Sequence, residues 1–317
     1  MQLHFATLQG YTTAHYRKAH HHTWGGVDCY YTPFVRIEKG GFRHRDLTEI
    51  ARQNNEGIEI VPQMLPQNGN EVRQIAQLFI DNGYRRADIN MGCPFPPVAL
   101  HKRGSGLLPH PDAVADVLHA TLDFPQLQFS LKMRPGWQEP NEWHAIIDII
   151  NATPLQHVTM HPRIGKIQYK GEANRALFKE FLDCCSHPVI YNGDLTTLDD
   201  VRAIKEDFGS LHGIMMGRGL LARPYLSMLL SCNETPQPHD IIERTKRFHD
   251  TLYNHLQETS QGHTQLMQRA LAMWQYFLPQ APRKERKAVL KASSPARYEQ
   301  AVASLFDRWS DACEIEL

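Results

Sequence analysis

Nowhere does the chain carry an apolar run near the roughly 18 residues a helix needs to cross a bilayer, so no membrane partner is expected. Its N-terminus, MQLHFATLQG, has no basic segment followed by a long apolar core and does not read as a secretory signal. Charge of one sign is not in excess: 34 Lys and Arg stand against 34 Asp and Glu, so no global field advertises a nucleic-acid partner. The six cysteines, at 29, 93, 184, 185, 232 and 313, form no CxxC pair or regular framework. In a chain of this size that favours a reduced, cytoplasmic protein over a disulfide scaffold. No GxGxxG follows the first apolar run, which argues against a doubly wound dinucleotide-binding sheet. His20-His21-His22 looks like a zinc tract, but adjacent residues cannot all face one ion, and no metal site is expected.

What is present is ordinary in bulk and patterned in detail. Hydrophobic residues make up 42% and charged residues 21% of the 317 positions, a soluble globular composition. Short β-rich runs recur at 4–8, 28–32, 58–64, 87–91, 128–133, 157–161, 188–191 and 213–216. Between the later runs lie stretches with apolar residues at three- and four-residue spacing, at 71–82, 112–121, 142–150, 175–183 and 198–207. Strand–helix alternation of this kind makes parallel strands with helical crossovers. Eight such units predict an α/β fold, a (β/α)8 barrel over residues 1–235. Beyond about residue 228 the strand signals stop, and Gly262, Pro279, Pro282 and Pro295 punctuate a helical remainder. Residues 236–317 are therefore expected to form a small all-α domain. In it, residues 283–297 hold six basic residues against the single acid Glu285.

The stretch 87–108, ADINMGCPFPPVALHKRGSGLL, carries the most chemistry. An apolar strand breaks at Gly92-Cys93-Pro94, and Gly104-Ser105-Gly106 makes a second turn. A thiol on such a loop could serve as nucleophile, metal ligand or proton donor, or be only a small buried apolar residue. In a barrel the site lies at the C-terminal ends of the strands. Polar residues collect there: Gln63, Asn90 with Cys93, Lys132 with Arg134, His161, Asn192-Gly193-Asp194 and Gly217-Arg218-Gly219. The last two groups follow strands seven and eight, where barrels frequently bind phosphate and glycine lets backbone N–H groups approach an anion. A phosphorylated cofactor is the expectation from the residues alone.

In their order, INMGCP…RGSGLL, LKMRPGW, MHPR…QYKGEAN, IYNGD and GIMMGRGLLARPYL resemble the motifs of the tRNA-dihydrouridine synthases. The helical remainder resembles that family's RNA-binding domain more weakly, and TPFVR at 32–36 is most similar to the bacterial C subgroup. The resemblance implies FMN in the barrel, reduced by NADPH (or NADH), which then reduces the C5=C6 bond of a uridine in the tRNA D-loop. It implies hydride from flavin N5 to C6 and a proton from Cys93 to C5. It places Asn90, Arg134 and Tyr169 toward the substrate, and Gln63, Lys132 and His161 against the flavin. Asn192, Gly193, Asp194, Gly217 and Arg218 would hold the phosphate. Lys102, Arg103, Arg286 and Lys287 are the expected tRNA contacts, with Tyr30, Tyr31, Tyr169 and Trp137 as candidates to stack on an extruded base.

The chain departs from the family pattern at Thr7-Leu8, Pro33, Pro162 and Ile164. Two alternatives stand beside this reading. One is a tRNA-binding member without redox activity, the other a flavin barrel acting on a free pyrimidine, like dihydroorotate dehydrogenases. A monomer is expected.

Overall fold

The computed structural model describes residues 1–232 and 236–312. The expected boundary between 235 and 236, and the last residues from Cys313 on, lie outside the described residues.

Nine short strands form one sheet: β1 (Gln2–Phe5), β2 (Cys29–Tyr31), β3 (Ile60–Val61), β4 (Gln63–Met64), β5 (Arg86–Met91), β6 (Gln128–Met133), β7 (Leu155–Met160), β8 (Val189–Asn192) and β9 (Gly213–Met216). Every pairing is parallel, in the order β3-β2-β1-β9-β8-β7-β6-β5-β4. The two ends of that order, β3 and β4, are separated in the chain only by Pro62. They are halves of one strand, so the sheet closes as the expected eight-stranded barrel. Proline interrupts it because it has no N–H to give the ladder, while its carbonyl still accepts from the Asp88 N–H at 3.0 Å. The first strand lies earlier than the expected 4–8. Leu8 is already in a turn, its N–H donating to Thr12 Oγ1 at 2.9 Å.

Parallel strands buried on both faces read as nearly continuous apolar runs. Ile89, Met91, Leu131, Met133, Val158, Met160, Ile190 and Met215 are accordingly fully buried. Helices Gly69–Asp81, Pro111–His119, Ile147–Ala152, Arg175–Cys184 and Leu198–Asp207 follow the expected periodicity. Gly69–Asp81 starts where the Asn68 side chain accepts the Glu71 N–H, and Arg175–Cys184 where Asn174 accepts that of Leu177, each at 3.0 Å.

One contact shows which side chains fill the barrel. Tyr31 on β2 hydrogen-bonds His157 Nε2 on β7 at 3.2 Å, and these strands are not neighbours, so the bond crosses the lumen. Alternation along the strands then puts Thr159 inside with His157. Register carries this to Lys132 and Asn90, which pair with Thr159 in turn, and to Asp88, Ser130 and Gln63 one step below. The lumen is therefore tiered: His4, Tyr31 and His157 at the floor, Gln63, Asp88 and Ser130 above them, and Asn90, Lys132 and Thr159 toward the C-terminal end. Its other side is lined by Ala6, Cys29, Val61, Ile190 and Met215.

The chain divides into two compact units. One comprises Met1–Ala14, Asp28–Leu195 and Asp200–Met216, the other His15–Val27, Thr196–Asp199 and Gly217 onward. Residues 15–27 and 217–232, grouped with the barrel by sequence, thus associate with the C-terminal helices. The reason is aromatic packing: Trp24 meets Tyr225 and Phe248 edge-on, and His20 Nε2 lies 3.1 Å from the Pro224 carbonyl. In this second unit the helices Pro238–Thr259, Gly262–Met273, Arg283–Leu290 and Pro295–Ala312 bury Phe248, Trp274, Tyr298, Phe306 and Trp309. The Tyr298 hydroxyl accepts from Trp274 Nε1 at 2.7 Å and pairs with His249 Nε2 at 2.8 Å. Among the described residues, no helix is long and apolar enough to cross a membrane.

Candidate active site

The 87–108 stretch folds as a clamp around Cys93. Asn90, at the end of β5, turns its Oδ1 onto the loop and accepts the N–H groups of Gly92 and Cys93 at 3.0 and 2.8 Å. Ser105 takes the other side, giving its N–H and its hydroxyl to the Cys93 carbonyl at 3.1 and 2.9 Å. The glycines around Ser105 follow from close approach. A Cβ on Gly104 would lie 2.8 Å from Cys93 Cβ, and one on Gly106 would lie 1.9 Å from the Ala99 carbonyl oxygen. Cys93 packs on Phe34, Leu65 and Val98. Burial raises its thiol pKa above the ordinary value, against the lowering influence of the Phe95 backbone, Arg134, Lys132 and Arg36. The thiol is held protonated at neutral pH.

Beneath the loop runs a line of buried hydrogen bonds. Asn90 Nδ2 donates to Gln63 Oε1 at 2.7 Å, Gln63 Nε2 donates to Asp88 Oδ2 at 2.7 Å, and Ser130 Oγ donates to Asp88 Oδ1 at 2.6 Å. Burial pushes the Asp88 carboxyl up to about 7, with Ser130, Gln63 and Lys132 opposing. Burial likewise lowers Lys132 to about 8, reinforced by Arg134 and opposed by Asp88 and Cys93. The Lys132 ammonium has no hydrogen-bond or ion-pair partner among the described residues, and the neighbouring Thr159 hydroxyl is buried without one. Two unpartnered polar groups side by side at the mouth of a barrel suit a planar ligand rich in acceptor atoms, and an isoalloxazine ring fits that description.

Arg134 is fully buried and organises the rim. Its Nε donates to the Gly92 carbonyl at 3.0 Å, and its Nη1 to the carbonyls of Arg163, Ile164 and Gln168 at 3.1, 3.0 and 2.9 Å. The half-exposed Tyr169 ring lies 5.5 Å from its guanidinium and 6.4 Å from the His161 ring. Arg163, next to His161, pairs with Asp194, whose carboxylate also accepts the Ala173 N–H at 3.0 Å. Gly193 sits at φ +152°, where a Cβ would come within 3.3 Å of His161. Asn192 Nδ2 donates to the Met215 carbonyl at 2.8 Å, tying β8 to β9.

Cys93, Asn90, Gln63, Lys132, Arg134, His161, Tyr169, Asn192, Gly193 and Asp194 all belong to the first unit. Gln63 is fully buried and engaged at both ends of its amide, and Asn90 is the anchor of the loop. Arg103 does not present its charge, since it is paired with Glu71 and donates to the Leu65 carbonyl at 2.9 Å. Lys102 is exposed, as expected of a surface cation.

Tyr30 and Tyr31 are fully buried and cannot stack on a base, and Trp137 is lodged over Gly165. Gly217 and Arg218 fall in the second unit, Arg218 opening the short helix Arg218–Ala222. In that unit Lys287 is exposed, whereas Arg286 donates to the carbonyls of Trp274 and Phe277 at 2.7 and 3.4 Å. Asp88, Ser130 and Thr159 are absent from the sequence reading. Their signal was a polar residue two positions before a site residue in an otherwise apolar strand.

A family model described as Dihydrouridine synthase (Dus) matches residues 4–306. The tRNA-dihydrouridine synthase B of Pasteurella multocida (strain Pm70) is 32% identical over 178 residues, 56% of this chain and 53% of that protein. That of Proteus vulgaris is 35% identical over 153 residues, 48% and 47% of the two chains. The chain thus spans about half the length of the curated relatives it matches. Both bear the B designation and give no support to the C subgroup expected from TPFVR, a phrase of only five residues. Among solved structures, a variant of NCR from Zymomonas mobilis superposes with TM-score 0.50 at 12% identity, over 74% of this chain and 88% of that one. Morphinone reductase gives TM-score 0.50 at 11% identity, over 76% and 88%. At such identities these two speak for the barrel alone. Matched by that family model over nearly its whole length, the chain belongs to the dihydrouridine synthase family.

Proposed function

We propose that this protein is an FMN-dependent tRNA-dihydrouridine synthase that uses NADPH to reduce the C5=C6 bond of a uridine in the tRNA D-loop. The observation that carries the reading is the Cys93 loop, clamped between Asn90 and Ser105 at the same barrel mouth as the unpartnered Lys132 ammonium. Family membership supports the chemistry, and the names of the relatives support the substrate.

In this reading Lys132, Thr159 and His161 meet the flavin ring, and Asn192 and Gly193 bear on its phosphate. Reduced flavin, when bound, supplies the hydride that adds to C6 of the uracil. Cys93 then gives its proton to C5 as a general acid. The high thiol pKa serves that role, since a thiolate would have no proton to give. Arg134 keeps the Cys93 loop and the Tyr169 loop together, leaving the exposed Tyr169 face for the incoming base. The exposed Lys102, with Arg283, Lys284 and Lys287 of the helical unit, supplies positive charge for phosphates.

The test is dihydrouridine formation in unmodified tRNA incubated with protein, FMN and NADPH, read by mass spectrometry of the nucleosides. A one-reduction gain of two hydrogens at one uridine is expected. Tight tRNA binding with no flavin and no product would instead indicate a binding protein.

A further inference from the structure

The line from Ser130 to Cys93 has a direction that its chemistry forces. The backbone N–H groups of Gly92 and Cys93 can only donate, so the atom of Asn90 that meets them is its oxygen. Asn90 must then present its NH2 to Gln63, whose oxygen accepts it, leaving Gln63 to donate at its other end. The partner there must be an acceptor, and it is the Asp88 carboxylate, held on its far oxygen by Ser130. Each link is 2.6–3.0 Å long, and Gln63 and Asp88 are fully buried. Neither amide can rotate without leaving two donors or two acceptors facing each other, a mismatch that burial makes costly.

We propose that Asp88 is a positioning residue for Cys93, fixing the orientation of both amides and so the place of the catalytic loop through Gln63 and Asn90. The catalytic consequence rests on the proposed role of Cys93, but the geometric claim does not. Cys93 is gripped at its carbonyl by Ser105 and at its N–H by this line alone. Loss of the line loosens this side of the loop at Cys93, leaving the Arg134 hold on the Gly92 carbonyl in place. The buried carboxylate earlier in the strand is thereby given a function that apolar packing alone would not ask of it.

Alkylation of Cys93 by iodoacetamide tests this without reference to activity. It is followed peptide by peptide by mass spectrometry on the full-length protein, because Cys184 and Cys232 are exposed and react independently. Asp88→Ala removes the terminal acceptor, and Gln63→Glu sets two carboxylates against each other. Each should speed Cys93 alkylation roughly tenfold, about the effect of losing one buried hydrogen bond. The double variant Gln63→Glu with Asp88→Asn keeps the net charge and restores every donor–acceptor pair, the new asparagine giving its NH2 to the new glutamate while Ser130 still donates. It should return to within roughly threefold of the wild-type rate.

Single variants that leave the Cys93 rate unchanged overturn the proposal. So does a double variant that reacts as fast as the singles, or fails to fold, whatever the singles do. If the single variants do not fold and the double does with a slow thiol, directionality is supported. Dihydrouridine formation by the same variants separates this claim from the functional one: a slow thiol with no turnover in wild type would sink the function and leave the positioning role standing.

Discussion

Asp88 is a carboxylate whose folded pKa of about 7 exceeds its ordinary 3.8. Its folded state therefore binds a proton more tightly than the unfolded chain does, and the associated stability is complete below about pH 4 and lost as pH rises through 7. Wild type should therefore carry a larger cost from this group at pH 8 than at pH 5. Asp88→Asn, which carries no charge at either pH, should gain in melting temperature relative to wild type on going from pH 5 to pH 8. An identical difference at both values would show that Asp88 does not titrate in this window. At this scale the sequence was informative where a polar residue ended a strand, as for Cys93, Lys132 and His161. Polarity inside a strand was passed over: Asp88 stands in β5 two positions before Asn90, and only the register with Gln63 and Ser130 turns it into part of a network. The reverse error came from Tyr30 and Tyr31, whose aromatic character suggested stacking although alternation in a closed barrel buries them.

Elements were legible because their causes are local. Alternating strand and helix periods act within a few residues, whereas the break at Pro62 inside the run 58–64 and the caps Asn68 and Asn174 were not foreseen. The RGSG turn is a stronger case, since its glycines are dictated by contact with a segment that precedes them by several residues. Gly106→Ala should cost about 1–3 kcal/mol, because the new methyl would overlap the Ala99 carbonyl. Gly41→Ala, where a Cβ would meet nothing within 4 Å, should be nearly neutral. Denaturant midpoints compare the two, and equal losses would mean that close packing is not why glycine stands at 106. The position of Arg134 could not be read this way. A K-x-R phrase suggests a ligand contact, yet four carbonyls from two loops converge on that guanidinium, and carbonyl directions are a product of the fold.

For the whole molecule, the barrel followed by helices was readable from where strand signals stop, but the membership of the two units was not. Trp24 and His20 belong with Phe248 and Pro224 across more than 200 positions of chain, a pairing with no local trace. The same holds for charge. Of the basic run at 283–297, Arg286 is spent on the Trp274 and Phe277 carbonyls, while Arg283, Lys284, Lys287 and Lys291 are exposed. Replacing Lys284, Lys287 and Lys291 by Ala should weaken tRNA binding and reduce the salt slope by roughly 0.7–0.9 per lost phosphate contact. Arg286→Ala should mainly lower the melting temperature. A salt slope unchanged in the triple variant would show that this face is only solvated.

The most direct test of the central claim is the reaction of the NADPH-reduced, FMN-loaded protein with unmodified tRNA under nitrogen, followed by flavin absorbance and nucleoside mass spectrometry. Wild type should recover the oxidised flavin spectrum as dihydrouridine accumulates. Cys93→Ala should be reduced by NADPH as readily but lose at least about a hundredfold in the tRNA step, the usual scale for removing a general acid. Cys93→Ala turning over at the wild-type rate, or wild-type flavin unresponsive to tRNA, would contradict the account.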